Sequence, residues 1–400
     1  MITGISLEEA IKLLTEGIRP QGMESVPLEQ AHGRILAAAV SAPHHQPPFD
    51  RSPLDGYALR SEDTLTASHD APIELEVIDT VYAGDCAGIT VESGQAVRIM
   101  TGAMLPQGCD CVIRQEDTDE ENGAVLVYQV MQHSQNICFA GEDYRTGQLL
   151  VLAGTKVDAA ALGVLASAGI SAVTVYHVPK VALLVTGDEL WDCGNALPAG
   201  KIFGSNKALL GARLMELGMN RVASLQLGDD TQAVSREMAR LMEQCDLLIT
   251  TGGVSVGERD IFHEVLPLLG AKQIFWRILI QPGSPAIFSR YQNKPVLSLS
   301  GNPFAAAATF ELLARPLLAA MSGDEGVLMK QSQGILDSYF KKKSKVRRFI
   351  RGTIQNGKVL LPEGHSSGQL ASMIGCNCLV DIPAGTDGLY RGETVSVLLI

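Results

Sequence analysis

The chain has 400 residues, 46% of them hydrophobic and 19% charged, with a formal net charge of −12. Such a length exceeds what one hydrophobic core supports, so about two to four domains are expected. The acidic balance argues against a general nucleic-acid or membrane-surface binder, and any anionic substrate needs a local device such as backbone N–H groups, a few cations or a bridging metal.

The opening MITGISLEEAIKLL has no basic region followed by an apolar core, so it is not read as a targeting segment. It predicts a helix instead, with Ser6 and Glu9 as a capping box and Leu7, Ile11 and Leu14 on one face. Helical character is expected over 1–41, as far as AHGRILAAAV. At SAPHHQPPFDRSPLDGYA the composition shifts to Pro and Asp, which marks entry into another module. The runs IELEVIDTVY, QAVRIM, CDCVIRQE and AVLVYQV are strand-like and separated by Gly and Asn, the pattern of a small all-β domain. A helical pattern returns at 158–169. The boundaries expected are therefore an elongated, discontinuous N-terminal domain (1–41 plus 140–178) with a β-rich domain (42–139) inserted in it.

The apolar region 149–176 is interrupted by Lys156, Asp158 and several glycines, so it is not expected to span a bilayer. The cysteines of GCDCV and GCNCL form C-x-C pairs in apolar runs without a histidine cluster, which suits small buried thiols in a reducing cytosol better than zinc.

From Pro179 the pattern changes. VALLVTGDEL is a buried-type strand ending in a polar Gly turn. SNKALLGARLMELG is a helix with Leu210, Leu214 and Leu217 on one face and Gly218 at its end. RVASLQLGDD, a helix near 231–244 and DLLITTGGVSVGERD follow. Buried strands alternating with amphipathic helices predict a doubly wound parallel sheet over 179–321. Its ligands belong at the carboxyl ends of the strands, where TGDE, GDD and TTGG all fall. Short strand-like runs over 322–400 predict a β-barrel-like C-terminal domain. The fold class expected is thus multi-domain α/β.

The Gly pair of TTGG lets backbone approach a ligand closely and offers N–H groups to phosphate. Seven loop carboxylates stand out: Asp55, Asp143, Asp188, Glu189, Asp229, Asp230 and Asp260. Singly, each is best read as a helix cap or a solvated loop residue. As a set converging on strand ends beside a phosphate cradle, they make chemical sense only with a divalent cation between them, as Mg²⁺ is held by one or two carboxylates plus phosphate oxygens. In LSGNP, Gly301 and Asn302 open a helix, with Asn302 as N-cap and Pro303 in the first turn. The basic run KKKSKVRR, 341–348, is either a solvated face or a source of positive potential for a nearby anion.

Taken together, SPLDGYA, VRIMTGAMLPQGCDCVIRQED, AGED, TGDEL, TTGGVSVGERD and PGSP…LSGNP resemble the MoeA family of molybdopterin molybdotransferases, which includes the E domain of gephyrin. The motifs run in family order over nearly the whole chain. The resemblance implies a MogA/MoaB-like doubly wound domain within a four-domain, elongated, cytoplasmic homodimer of molybdenum cofactor biosynthesis. Such enzymes insert molybdate into adenylylated molybdopterin with Mg²⁺ and release AMP. A MogA-like adenylyltransferase would supply the nucleotide and molybdoenzymes would accept the product; neither nucleic acid nor membrane is involved.

The family site lies between the doubly wound domain of one subunit and the inserted domain of the other. Carried over residue by residue, the resemblance gives catalytic roles to Asp55, Glu189, Asp229 and Asp260, with Asp229 and Asp260 as the metal ligands. It gives substrate contacts to Thr101, Asp143, Thr186, Gly187 and Asn206. Thr251, Gly252, Gly253 and Ser255 look like the pterin-phosphate cradle, and Ser300, Gly301 and Asn302 stand where the family reads P-G-N. Where the family usually reads K-P-G-K-P, this chain has Gln281 and Ser284 in place of the two lysines. Arg277 just upstream and Arg351 of RRFIRG are the remaining cations assigned to the site. A hydrogen bond to a charged group is worth roughly 1.5–3 kcal/mol. Two lost contacts therefore amount to about two to four decades of oxyanion affinity, absent compensation. The competing reading is a catalytically weak paralogue that binds molybdopterin or the molybdenum cofactor as a carrier.

Overall fold

Strictly apolar strand sequences such as Val181–Val185 and Leu247–Ile249 can be satisfied only by burial on both faces. The computed structural model, which describes every residue except Ala87 and 255–259, does this. The chain divides into two compact units, Met1–Glu24 with Tyr176–Ile400, and Ser25–Val175.

The first unit is built on a seven-stranded sheet in the order Ile2–Ile5, Lys272–Ile278, Ile287–Tyr291, Lys294–Leu299, Leu247–Thr251, Lys180–Thr186, Asn220–Leu227. Alternate residues of the central strands face opposite layers. Val181, Leu183, Leu247 and Ile249 pack with helices Leu7–Thr15 and Asn206–Glu216 and with the helical run 303–322. Ala182, Leu184 and Leu248 pack with helices Thr231–Gln244 and Phe262–Leu269. Helix 303–322 is long and apolar enough to cross a membrane, but most of it is buried in this core.

Three local expectations resolve differently in three dimensions. The sheet is mixed, not wholly parallel: Ile287–Tyr291 runs antiparallel to both its neighbours. The cause is a two-residue hairpin in which Gln292 and Asn293 both take positive φ, 49° and 65°, the backbone that matches strand twist in tight hairpins. The first strand and helix belong to this sheet unit and not with 25–41 and 140–178, because Ile2–Ile5 pairs in parallel with Lys272–Ile278 and Leu14 is fully buried in the same core. The helix there is capped as expected, Ser6 Oγ accepting from Glu9 N at 3.1 Å. Residues 23–41 are not helical beyond a single short turn at Leu28–Gln30. The amides of Gly33, Leu36 and Ala37 donate instead to the carbonyls of Val157, Thr155 and Thr174; non-local pairing overrides the helix propensity of the alanines.

Residues 330–399 with Ile280–Gln281 form a six-stranded sheet that closes on itself: Arg347–Gln355, Lys358–Leu360, Lys330–Leu336, Thr394–Leu399 and Cys378–Ile382 make a ring, and the last pairs back with the first. Ile280–Gln281 adds to this barrel by pairing in parallel with Arg347 and Arg348.

The second unit carries a six-stranded sheet ordered Cys111–Arg114, Gly56–Leu59, Gln95–Ile99, Ile73–Val81, Ala124–Val127, Thr118–Glu121. It also holds a separate small core in which Leu36, Val157 and Val175 pack with Leu165 of helix Ala159–Ser167, whose N-cap is Asp158. Of the C-x-C cysteines, Cys111 and Cys378 are buried, while Cys109 and Cys376 are only half-buried; Cys245 is buried, and Cys86 and Cys193 are exposed. Desolvation pushes Cys109 up to about 12 and Cys245 and Cys378 up to about 11, which leaves these three as inert packing groups.

Candidate active site

The carboxyl ends of four parallel strands converge on a cleft of about 780 Å³ in the first unit. Lys180–Thr186 delivers Thr186, Gly187 and Glu189 to it. Asn220–Leu227 delivers Asp229, and Leu247–Thr251 delivers Thr251, Gly252 and Gly253. Lys294–Leu299 delivers Ser300, Gly301 and Asn302. Asn206, at the start of its helix, and Asp260 complete this set. Ser255 lies outside the described residues.

The glycines at the floor are where they must be. Gly252 has φ +99°, and a Cβ there would lie 2.3 Å from Thr186 O and 2.9 Å from Thr186 Oγ1. A Cβ on Gly301 would sit 3.3 Å from Gly252 Cα, so the two loops approach backbone to backbone. Beside them Asn206, only 6% exposed, donates through Nδ2 to Gly301 O at 2.8 Å. Its Oδ1 is buried without a partner among the described residues, an unsatisfied acceptor in the wall of the cleft.

The two aspartates of GDD separate by role. Asp230 caps helix Thr231–Gln244, accepting from Ala233 N at 2.9 Å. Asp229 faces the cleft, and its loop is locked to the TGDE loop by reciprocal bonds, Asp188 N to Asp229 Oδ2 at 3.3 Å and Asp229 N to Asp188 Oδ1 at 3.0 Å. Glu189, Asp229 and Asp260 thus bring three carboxylates to one cleft. Among the described residues no group of three or more His, Cys, Asp or Glu side chains is gathered closely enough to hold a metal ion by itself. Separate carboxylates lining an open cleft suit Mg²⁺, which is held by one or two carboxylates and takes its remaining ligands from water and substrate phosphate.

The loop 281–285 also lines the cleft. Gly283, at φ +89°, packs so closely that a Cβ would meet Thr309 Cγ2 at 2.2 Å. Gln281 is exposed there, whereas Ser284 turns its hydroxyl back to Ile278 O at 2.8 Å. Asn302 occupies the N-cap position with Pro303 after it, but its side chain makes no cap hydrogen bond and lines the cleft instead.

Two arginines assigned to the site from sequence do not line this cleft. Arg277 stacks its guanidinium 4.4 Å over the Trp276 ring. Arg351 is 1% exposed: it lies 4.2 Å over Phe304 and donates to Ser372 Oγ and to the carbonyls of Gly364, Ser366 and Gln369. It thereby pins the 364–372 loop, whose Ser367 lines the cleft and accepts from Phe304 N. Sequence reading missed Phe203, Val346 and Ser367 as lining residues. The latter two come from the barrel, far along the chain from any strand end, and carry no local signal.

In the second unit, register joins two of the expected residues. Gly56 lies opposite Ile99, so the residues just beyond, Asp55 and Thr101, meet at one sheet end. Asp55 Oδ1 accepts from Thr101 N and Thr101 Oγ1, both at 2.7 Å. Gly56 is required next to it, since a Cβ would collide with Ile113 O. The two Thr101 bonds, backbone first, hold the Asp55 carboxyl below its ordinary range. Thr101→Val is expected to raise the Asp55 titration midpoint, measured by carboxyl NMR; an unchanged midpoint would show that the hydroxyl contributes nothing. Asp143 is exposed, with its N–H on Gln46 O at 2.9 Å, and shares no hydrogen bond with Asp55 or Thr101 among the described residues.

Comparison with known proteins covers the entire chain. Family models described as the MoeA N-terminal region (domain I and II), a probable molybdopterin binding domain and the MoeA C-terminal region (domain IV) match residues 5–169, 182–320 and 333–400. The chain is 35% identical to a molybdopterin molybdenumtransferase of Bacillus subtilis, covering 100% of this chain and 94% of that one. It is 34% identical to one from Staphylococcus aureus (strain COL), covering 99% and 95%. A crystal structure of a molybdopterin biosynthesis MoeA protein from Pyrococcus horikoshii superposes with a TM-score of 0.89 at 32% identity over 99% of both chains.

Proposed function

Since this chain belongs to the MoeA family, and is a molybdopterin molybdenumtransferase of molybdenum cofactor biosynthesis, we propose that it carries out Mg²⁺-dependent insertion of molybdate into adenylylated molybdopterin with release of AMP. The observation that supports this reading is the convergence of the Gly252–Gly253 loop and three carboxylates on one cleft.

The Gly252–Gly253 loop, free of side chains, lets phosphate approach the backbone closely, the Gly252 amide itself being committed to Leu299 O. Asn206 Oδ1, fixed by the bonds its Nδ2 makes, accepts from an N–H of the pterin and so recovers the cost of its buried, unpaired state. Glu189, Asp229 and Asp260 would repel a nucleotide's phosphates on their own. Asp229 and Asp260 would hold Mg²⁺, and the ion when bound would supply positive charge to offset that of the phosphates and the departing AMP. Gln281 faces the molybdate side of the cleft. Asp55 and Thr101 act from the other subunit of a homodimer. The proposal is completed by a cytoplasmic setting, a MogA-like adenylyltransferase as the source of nucleotide and molybdoenzymes as acceptors.

The test uses purified protein, adenylylated molybdopterin, Mg²⁺ and a molybdate titration, reading AMP release and metal-pterin formation beside the Gln281→Lys, Ser284→Lys double variant. Turnover by the natural protein is the expected result. Tight nucleotide binding without AMP release until the lysines are introduced would overturn it in favour of a pterin carrier.

A further inference from the structure

The basic run 341–348 contains one cation that the function described so far does not use. Arg347 is neutralised: its guanidinium makes a paired contact with Asp381, at 2.8 and 2.6 Å, and a further one with Glu8. Arg348, the next residue, points to the other side of the strand. Its Nε donates to the buried Ser344 Oγ at 3.0 Å, and its guanidinium lies 5.7 Å from the centre of the Phe340 ring. Its Nη2 donates to Gln281 Oε1 at 2.6 Å. Among the described residues no carboxylate pairs with it, and desolvation alone moves its pKa, downward from the ordinary arginine value; a guanidinium stays charged nonetheless. The barrel places it there through backbone pairing, since Ile280–Gln281 runs in parallel register with Arg347–Arg348.

The hydrogen-bond chemistry of this contact has one solution. Arginine can only donate, so Gln281 must turn its amide oxygen toward Arg348. The NH₂ group of Gln281, which makes no hydrogen bond among the described residues, is then left as the donor presented by an exposed side chain lining the cleft. A cation behind the amide polarises it and strengthens its donation to an anion.

We propose that Arg348 is a positioning residue for the oxyanion substrate: it fixes and polarises the Gln281 amide as an anion donor, so that a guanidinium–amide relay from the barrel supplies the positive character that the loop itself lacks. The inference rests on the molybdate-inserting reading above.

It is tested by calorimetry of molybdate on the nucleotide-free protein and by the molybdate dependence of AMP release. The variants are Arg348→Met, Arg348→Lys, Gln281→Leu and the Arg348→Met, Gln281→Leu double. Arg348→Met is expected to weaken molybdate binding and raise its half-saturation by about tenfold or more, the size of one charge-assisted hydrogen bond. The rate at saturating molybdate and the affinity for the nucleotide should stay within about threefold, which also reports an intact fold. Arg348→Lys should recover part of the loss. Because the relay runs through the amide, adding Arg348→Met to Gln281→Leu should cost nothing further. Additive losses, or an unchanged molybdate affinity in Arg348→Met, would overturn the relay. So would an absence of molybdate heat in the natural protein. Failure of AMP release with molybdate binding still sensitive to Arg348 would instead count against the reaction and leave the relay standing.

Discussion

Replacing Gly252 with alanine is expected to destabilise the protein by about 2–4 kcal/mol and to weaken binding of adenylylated molybdopterin by two decades or more. Two costs combine. At φ +99° a residue with a Cβ is strained, and the added methyl would press on Thr186 O, which belongs to a neighbouring strand's backbone and has no free rotation by which to yield. Relief requires the loop to lift, and the loop is held by its N–H bond to Leu299 O at 3.2 Å. Lifting it moves the amides away from the phosphate. Gly270 provides the control: it too has positive φ, +77°, ending helix Phe262–Leu269, but a Cβ there meets nothing within 4 Å. Gly270→Ala is expected to cost about 1 kcal/mol and leave nucleotide binding intact. Denaturant unfolding and nucleotide calorimetry on both variants check this. Wild-type affinity in Gly252→Ala would mean the loop is a turn and not a cradle.

Asp260→Asn is expected to change sign with magnesium. With Mg²⁺ present, AMP release should fall by about a hundredfold or more and the Mg²⁺ requirement should rise by about tenfold, since a metal-bridging carboxylate is lost. With Mg²⁺ chelated, the same variant should bind the nucleotide more tightly than the natural protein, because one negative charge facing the phosphates has gone. Asp229→Asn should behave alike. The same charge removed at Asp230→Asn should change neither property, since that carboxylate is spent on Ala233 N at the helix cap. Nucleotide titrations with and without chelator separate the outcomes. A variant that loses affinity equally in both conditions would show that Asp260 holds the loop and not the metal.

Much of the site was legible in the residues themselves. A buried strand followed by Gly-Gly, and acidic residues after neighbouring strands, mark one common cleft because a parallel sheet must bring all its carboxyl ends to one edge. The Ser6 cap, the helical pattern at 158–169 and helix Thr231–Gln244 were equally local, each written within a few positions of the chain. What tertiary structure alone decided were partners. Ile2–Ile5 has no local mark that sends it to the edge of a sheet beside Lys272–Ile278, and the helix-favouring 31–40 segment was drawn out by carbonyls more than a hundred residues away. Arginines show the same division. Arg277, Arg347, Arg348 and Arg351 are alike as letters, yet one stacks on an indole, one is neutralised by carboxylates, one is buried as a clamp and one reaches Gln281. Periodicity specifies which face of an element is apolar. Which groups meet across the resulting core depends on strand order and register, and these are settled only when non-local pairs compete for the same backbone bonds and the same buried space.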